Sequence, residues 1–177
     1  MKRTLSLFSA VFLCGLLFIA ALPVAAGETV TPDEVIAKVR EAAAYLSGKG
    51  EAGLSEFNDP KGPWAWKDTY VFVFNCAEGI IVAHPTKELI GTRLEDRIDK
   101  NGFKFNLALC EEAKKPNGGW VEYWRPSDAA DATGAAEFRR KVSYILKVQG
   151  QPYEVGAGIY EPTMSIDELT KMIEGVK

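Results

Sequence analysis

Apolar residues first repeat at helical spacing from Val35, with Val35, Ile36, Val39, Ala42, Ala43 and Leu46 on one stripe. Thr31, Pro32 and Glu34 precede them as N-cap, first-turn proline and capping-box acid, so an amphipathic helix opens there and stops near Gly48 to Gly50. A short helical segment with Leu54 and Phe57 follows, and Asn58, Asp59 and Pro60 force a turn. The period then changes to two. Tyr70 to Phe74 and Ile80 to His84 are β-branched and aromatic runs joined by Asn75 to Gly79, which predicts a hairpin. Tyr70, Phe72 and Phe74 share one face and Val71 and Val73 the other; with both faces apolar, the strand should be covered on both sides.

Further along, a helix is expected from Phe103 to Lys115 with Phe103, Leu107 and Cys110 toward the core, ended by Pro116 to Gly119. Strands are expected at Trp120 to Trp124, Arg140 to Val148 and Tyr153 to Tyr160, giving about five. The Ala-, Asp- and Gly-rich stretch from Pro126 to Glu137 should be an exposed loop between paired strands. Ser165 and Glu168 form a second capping box before Ile166, Leu169, Met172 and Ile173, a short final helix. The order helix, hairpin, helix, three strands, helix predicts an α+β fold, an antiparallel sheet with helices gathered on it.

The first residues belong to a different pattern. Lys2 and Arg3 precede an apolar run from Leu7 to Leu22 and then Pro23, Val24, Ala25 and Ala26, which reads as a signal peptide over 1–26 cleaved before Gly27. The alternative is an uncleaved N-terminal anchor, since roughly 18 apolar residues can span a bilayer. Residues 27–177 then form a single domain, periplasmic or secreted. Losing Lys2 and Arg3 from the 21 basic residues while all 24 acidic ones remain takes the formal charge from −3 to −5. That balance excludes nucleic acid as a partner, because no basic cluster could supply the phosphate contacts.

Two cysteines, Cys76 and Cys110, remain in an exported chain, and a disulfide between them is expected, with two buried thiols as the alternative. No CxxC or HxxxH spacing suggests a metal, and no cofactor is implied. An enzyme using His84 as base near Asp59 or Asp68 would need a nucleophile or metal partner, and no motif supplies one.

Tyr70 and His84 are the polar exceptions in the hairpin, aromatic rings with hydrogen-bonding tips beside Trp64 and Trp66, a composition that suits a small polar ligand. Lys141 alternates with Ser143 and Ile145 in a strand, where its ammonium would pair with a ligand carboxylate unless it is a solvated edge lysine. Tyr123 and Tyr144 can each bring a hydroxyl to a pocket wall, and Trp64, Trp66 and Trp124 can exclude water from it. Gly156 and Gly158 leave one face of the last strand without side chains, which makes room for a ligand, a bulge or a close approach.

Taken together, Phe57 to Pro60, Trp66 to Asn75, Ala83-His84-Pro85, Gly118 to Trp124, Lys141 to Tyr144 and Gly156 to Tyr160 make residues 31 to 161 resemble the single Cache domain family, PAS-like extracellular sensing modules of chemoreceptors and sensor kinases. The resemblance implies a long N-terminal helix behind a curved antiparallel sheet. It also implies a pocket on the other face that binds small organic acids, amino acids or related metabolites. Family members usually continue into a second membrane helix and a signalling module, whereas this chain ends at Lys177. The expectation is a binding component that presents a small, carboxylate-bearing ligand to a membrane receptor or sensor kinase; the alternative is a structural or assembly protein of the envelope.

Overall fold

A computed structural model describes residues 29–130, 136–160 and 163–175. The expected signal peptide, residues 1–26, lies outside them. Helix α1, Pro32–Lys49, starts as its residues require: the Thr31 hydroxyl accepts from the Glu34 N–H while the Glu34 carboxylate accepts from the Thr31 N–H. A 3₁₀ segment, Gly50–Asn58, continues it.

Six strands follow, one more than expected: β1 (Ala65–Trp66), β2 (Thr69–Asn75), β3 (Ile80–Ala83), β4 (Gly119–Ala130), β5 (Ala136–Lys147) and β6 (Glu154–Ile159). All pair antiparallel in the order β1-β2-β6-β5-β4, with β3 also on β2. The hairpin strand β2 has partners on both edges, and both of its apolar faces are covered, Val71 and Val73 in one core and Phe72 and Phe74 in the other. Pro126 to Glu137 is not simply a loop: β4 and β5 run on into it, pairing Pro126 with Phe138 and Ala130 with Ala136. Side-chain composition misled there, because strand pairing is a backbone property that small polar residues also allow.

The sheet divides two cores. On one face α1 sends Val35, Ile36, Val39, Ala42 and Leu46 against Val71, Val73, Val142, Tyr144, Val155 and Ala157. Helix α3 (Ile166–Gly175) joins this face through Leu169 and Ile173 and is capped by Ser165 and Glu168 as the sequence indicates. Burying each such aliphatic chain contributes roughly 1.5–3 kcal/mol.

On the other face α2, Phe105–Glu112, packs Phe105, Leu109 and Cys110 against Phe72, Phe74, Val121, Tyr123 and Ile145. Its inward stripe differs from the expected one. Phe103 and Leu107 are exposed at 42% and 39%, and only Cys110 of the expected trio is buried. Phe103 precedes the helix in a turn closed by Asp99, so counting from it shifts the phase of the whole stripe. Cys110 is bonded to Cys76 at the tip of the β2–β3 hairpin, with 5.8 Å between Cα atoms, so α2 is tied to the sheet.

Candidate functional site

Between the sheet and α2 lies a hollow of about 290 Å³, at the lower edge of ligand-pocket sizes, on the face opposite α1. Period-two alternation decides what reaches it. From β2 come Tyr70, Phe72 and Phe74, from β4 Tyr123 and Arg125, and from β5 Lys141. His84 lies one residue beyond β3, and Phe105 and Asn106 come from the first turn of α2. Arg97 enters from the loop before α2.

The glycines of β6 make close approaches possible. A Cβ on Gly156 would stand 2.6 Å from the Phe72 ring, and one on Gly158 would stand 2.0 Å from Ser143 Oγ and 2.8 Å from Lys141 Cε. The bare face of β6 is therefore taken by the Phe72 ring and the Lys141 stem, the close approach that its two glycines permit. The Lys141 ammonium sits 5.3 Å from the ring centroids of both Tyr70 and Tyr160, within cation–π range. Phe105 stacks on Tyr123 at 4.2 Å, and the Arg125 guanidinium lies 5.7 Å from the Phe105 centroid. The Tyr123 hydroxyl is 2.7 Å from Ser143 Oγ and is buried, which raises its pKa and keeps it neutral.

Arg97 owes its place to Asp99. The Asp99 carboxylate accepts from the N–H groups of Asn101, Phe103 and Trp124, stitching the loop to β4. Burial alone would raise the Asp99 pKa, but these backbone donors and Lys100 outweigh it and hold the group below its ordinary value.

His84 is buried and does not carry charge at neutral pH. Its pKa falls from 6.5 to about 4, first through burial and then through the positive charges of Arg97, Lys141 and Arg125. Its Nδ1 accepts from the Thr86 N–H at 2.8 Å, so the neutral ring carries its proton on Nε2 and is a donor there. Its own backbone N–H is held by Asn58 Oδ1. Burial also lowers the pKa of Arg97, and Arg125 adds to this as the nearby like charge.

Among the described residues that line the hollow none is acidic, and neither Arg97 nor Arg125 forms an ion pair with a described residue. The Asn106 side chain is 2% exposed, and its amide nitrogen has no hydrogen-bond partner among the described residues. Such an orphan donor costs about 1–3 kcal/mol unless something fills it. The site is an array of donors and cations walled by aromatic rings. It suits an acceptor-rich anion.

Of the residues singled out from sequence, the structure brings Tyr70, His84, Tyr123 and Lys141 together here. It places the other four elsewhere. Trp64 is buried with α1, stacked 4.7 Å from Phe57, and Trp66 packs against the same core. Tyr144 lies on the α1 face with its hydroxyl donating to the Asn117 carbonyl. The Trp124 ring is covered by Lys100 at 3.6 Å and does not line the hollow. Alternation explains the last two: Trp124 neighbours Tyr123 in one strand, and Tyr144 lies three residues from Lys141, so neither can share the pocket face.

Sequence reasoning missed Arg97, Arg125 and Asn106. Arg125 was findable, two residues beyond Tyr123 on the same face. Asn106 carries a fainter signal as a polar residue beside Phe105, Leu109 and Cys110, and Arg97 sits in a loop with no periodicity.

The Cache domain family matches the chain over residues 65–165. No curated protein sequence matches it. Among solved structures, a methyl-accepting chemotaxis protein from Vibrio parahaemolyticus RIMD 2210633 is similar at 20% identity and a TM-score of 0.55, covering 72% of this chain and 86% of that one. A periplasmic sensor domain of a chemotaxis protein is similar at 22% identity and 0.51, covering 72% and 88%. A Cache chemosensory domain described for its recognition of carboxylic acid is similar at 21% and 0.53, covering 72% and 86%. At these identities the likeness is one of fold.

Proposed function

The chain belongs to the Cache domain family, and we propose that it is an exported sensory module that captures a small carboxylate-bearing metabolite between the sheet and α2. The observation that carries this reading is the cluster of Arg97, Arg125 and Lys141 around a neutral His84, with no acid among the described lining residues. Each cation can give a ligand carboxylate a charge-assisted hydrogen bond, on the order of 1.5–3 kcal/mol. The likeness to a domain described for carboxylic acid recognition supports the same ligand class.

Residues 1–26 act in this reading as a cleaved signal peptide that delivers the domain to the periplasm, where a membrane receptor or sensor kinase reads the liganded form. The likeness to a periplasmic sensor domain of a chemotaxis protein supports that location.

Thermal-shift screening against organic acids tests the proposal, since a ligand at 100 times its dissociation constant adds about 2.7 kcal/mol to stability. Calorimetry with a responding acid should then show binding weakened ten- to a hundredfold in Lys141→Ala, while the ligand-free variant keeps its fold. A screen in which no acid raises the melting temperature would sink it.

A further inference from the structure

Resting on that reading, we infer that Arg97 and Arg125 form one clamp for a ligand carboxylate, held in the empty protein against their mutual repulsion, and that this clamp restricts the ligand to acids without an ammonium group. Two segments distant in sequence bring the guanidiniums together. The Asp99 carboxylate accepts from the Trp124 N–H at 3.2 Å. Arg97 lies two residues before Asp99 and Arg125 one residue after Trp124, so this bond sets the loop beside β4, and both side chains line the same hollow.

The electrostatics agree with that placement. After burial, Arg125 is the largest influence on Arg97, and after burial Arg97 is the largest influence on His84, with Arg125 acting on it as well. The three groups therefore share one region of the hollow. Among the described residues neither arginine makes an ion pair, and none of those lining the hollow is acidic. Two half-buried like charges without a counter-ion cost stability. The ligand carboxylate is the counter-ion, so binding removes a cost that the empty site carries, and activity is kept at the expense of stability.

The clamp also decides what the ligand cannot carry. An ammonium next to the bound carboxylate would meet two positive charges and no lining carboxylate. His84 offers it no acceptor either, because Nδ1 is taken by the Thr86 N–H and Nε2 carries the proton. A 2-amino acid therefore binds less tightly than the plain acid of the same chain.

Arg97→Met removes one charge and keeps an apolar stem, and two readouts on it test the inference. The ligand-free variant should melt higher than wild type, because the repulsion is relieved. Arg125→Met should gain less, since it also gives up the contact with Phe105. Arg97→Lys, which keeps the charge, should not melt higher. The second readout is calorimetry with acetate, propionate and succinate, each beside its 2-amino counterpart glycine, alanine or aspartate. Wild type should bind a responding plain acid about tenfold or more tightly than its counterpart. In Arg97→Met the plain acid should weaken about tenfold or more and the amino acid by less, so the preference narrows. A ligand-free Arg97→Met protein that melts no higher than wild type overturns the inference. So does an amino acid that binds as tightly as its plain acid, or a plain acid whose affinity is unchanged in Arg97→Met. Each of these leaves the carboxylate-sensor reading standing as long as a plain acid binds wild type. Should only another acid of the wider screen respond, the melting comparison and that acid's affinity for Arg97→Met decide. If none of the six binds and the wider screen is also silent, the proposed function itself fails.

Discussion

His84 gives the pocket a pH dependence whose sign follows from its surroundings. Its pKa is near 6.5 in an unfolded chain and about 4 when folded, so between these values the unfolded state binds the extra proton and stability rises with pH. The contribution is complete above about pH 6.5 and is lost as pH falls toward 4, with an upper size of about 3 kcal/mol. Denaturant melts at several pH values in this window should slope in wild type and flatten in His84→Gln; parallel profiles would contradict the assignment. The residue was legible in the sequence as a lone imidazole in a strand-like run, and so were Tyr70 and Lys141 as polar tips in apolar strands. Trp64 and Trp66 misled because bulk and apolarity say only that a side chain is buried, not which of two cores buries it, and Trp124 is half-buried under Lys100 in neither core. Trp64 is 5% exposed and satisfies that demand in the α1-side core, between Tyr45 and Phe57.

At the level of elements, β6 and α2 determine the shape of the site. Replacing Gly158 with alanine sets a Cβ 2.0 Å from Ser143 Oγ and 2.8 Å from Lys141 Cε, so either the strand shifts or both the Ser143 hydroxyl and the Lys141 stem are displaced. Overpacking of this kind destabilises by about 1–3 kcal/mol. Gly158→Ala should therefore lower the melting temperature and weaken acid binding together, and a variant that binds normally would show that the Lys141 stem does not need this track. Helix α2 depends on its covalent tie. The Cys76–Cys110 bond spans 34 residues, for which the chain-entropy estimate is about 4 kcal/mol. Reductant, or Cys76→Ser with Cys110→Ser, should lower the melting temperature and also reduce affinity, because Phe105 and Asn106 lie on the released helix. Full alkylation of both cysteines in denaturant without reductant would refute the bond. The hairpin, both capping boxes and the cysteine pair could be read in advance because each is local or compositional. The inward stripe of α2 could not, because a turn closed by Asp99 fixes where that helix begins.

Across the whole molecule the sheet separates a continuous apolar core under α1 from a second one that the pocket interrupts. The buried residues that cluster on the first side are aliphatic and aromatic, and a sequence pattern conveys such packing. The second side also depends on the loop carrying Arg97, whose position no periodicity encodes. Strand β6 is buried along all six residues and paired on both edges, whereas α2 is eight residues long and presents Leu107 to solvent. Local opening follows such differences in packing. In deuterium exchange, the amides of β6 should be among the last to label with or without ligand, while those of α2 label early in the free protein and slow when an acid is added. The disulfide holds one end of α2 and leaves its first turn to be ordered by the ligand, so occupancy would be written as a slowing of exchange in that turn.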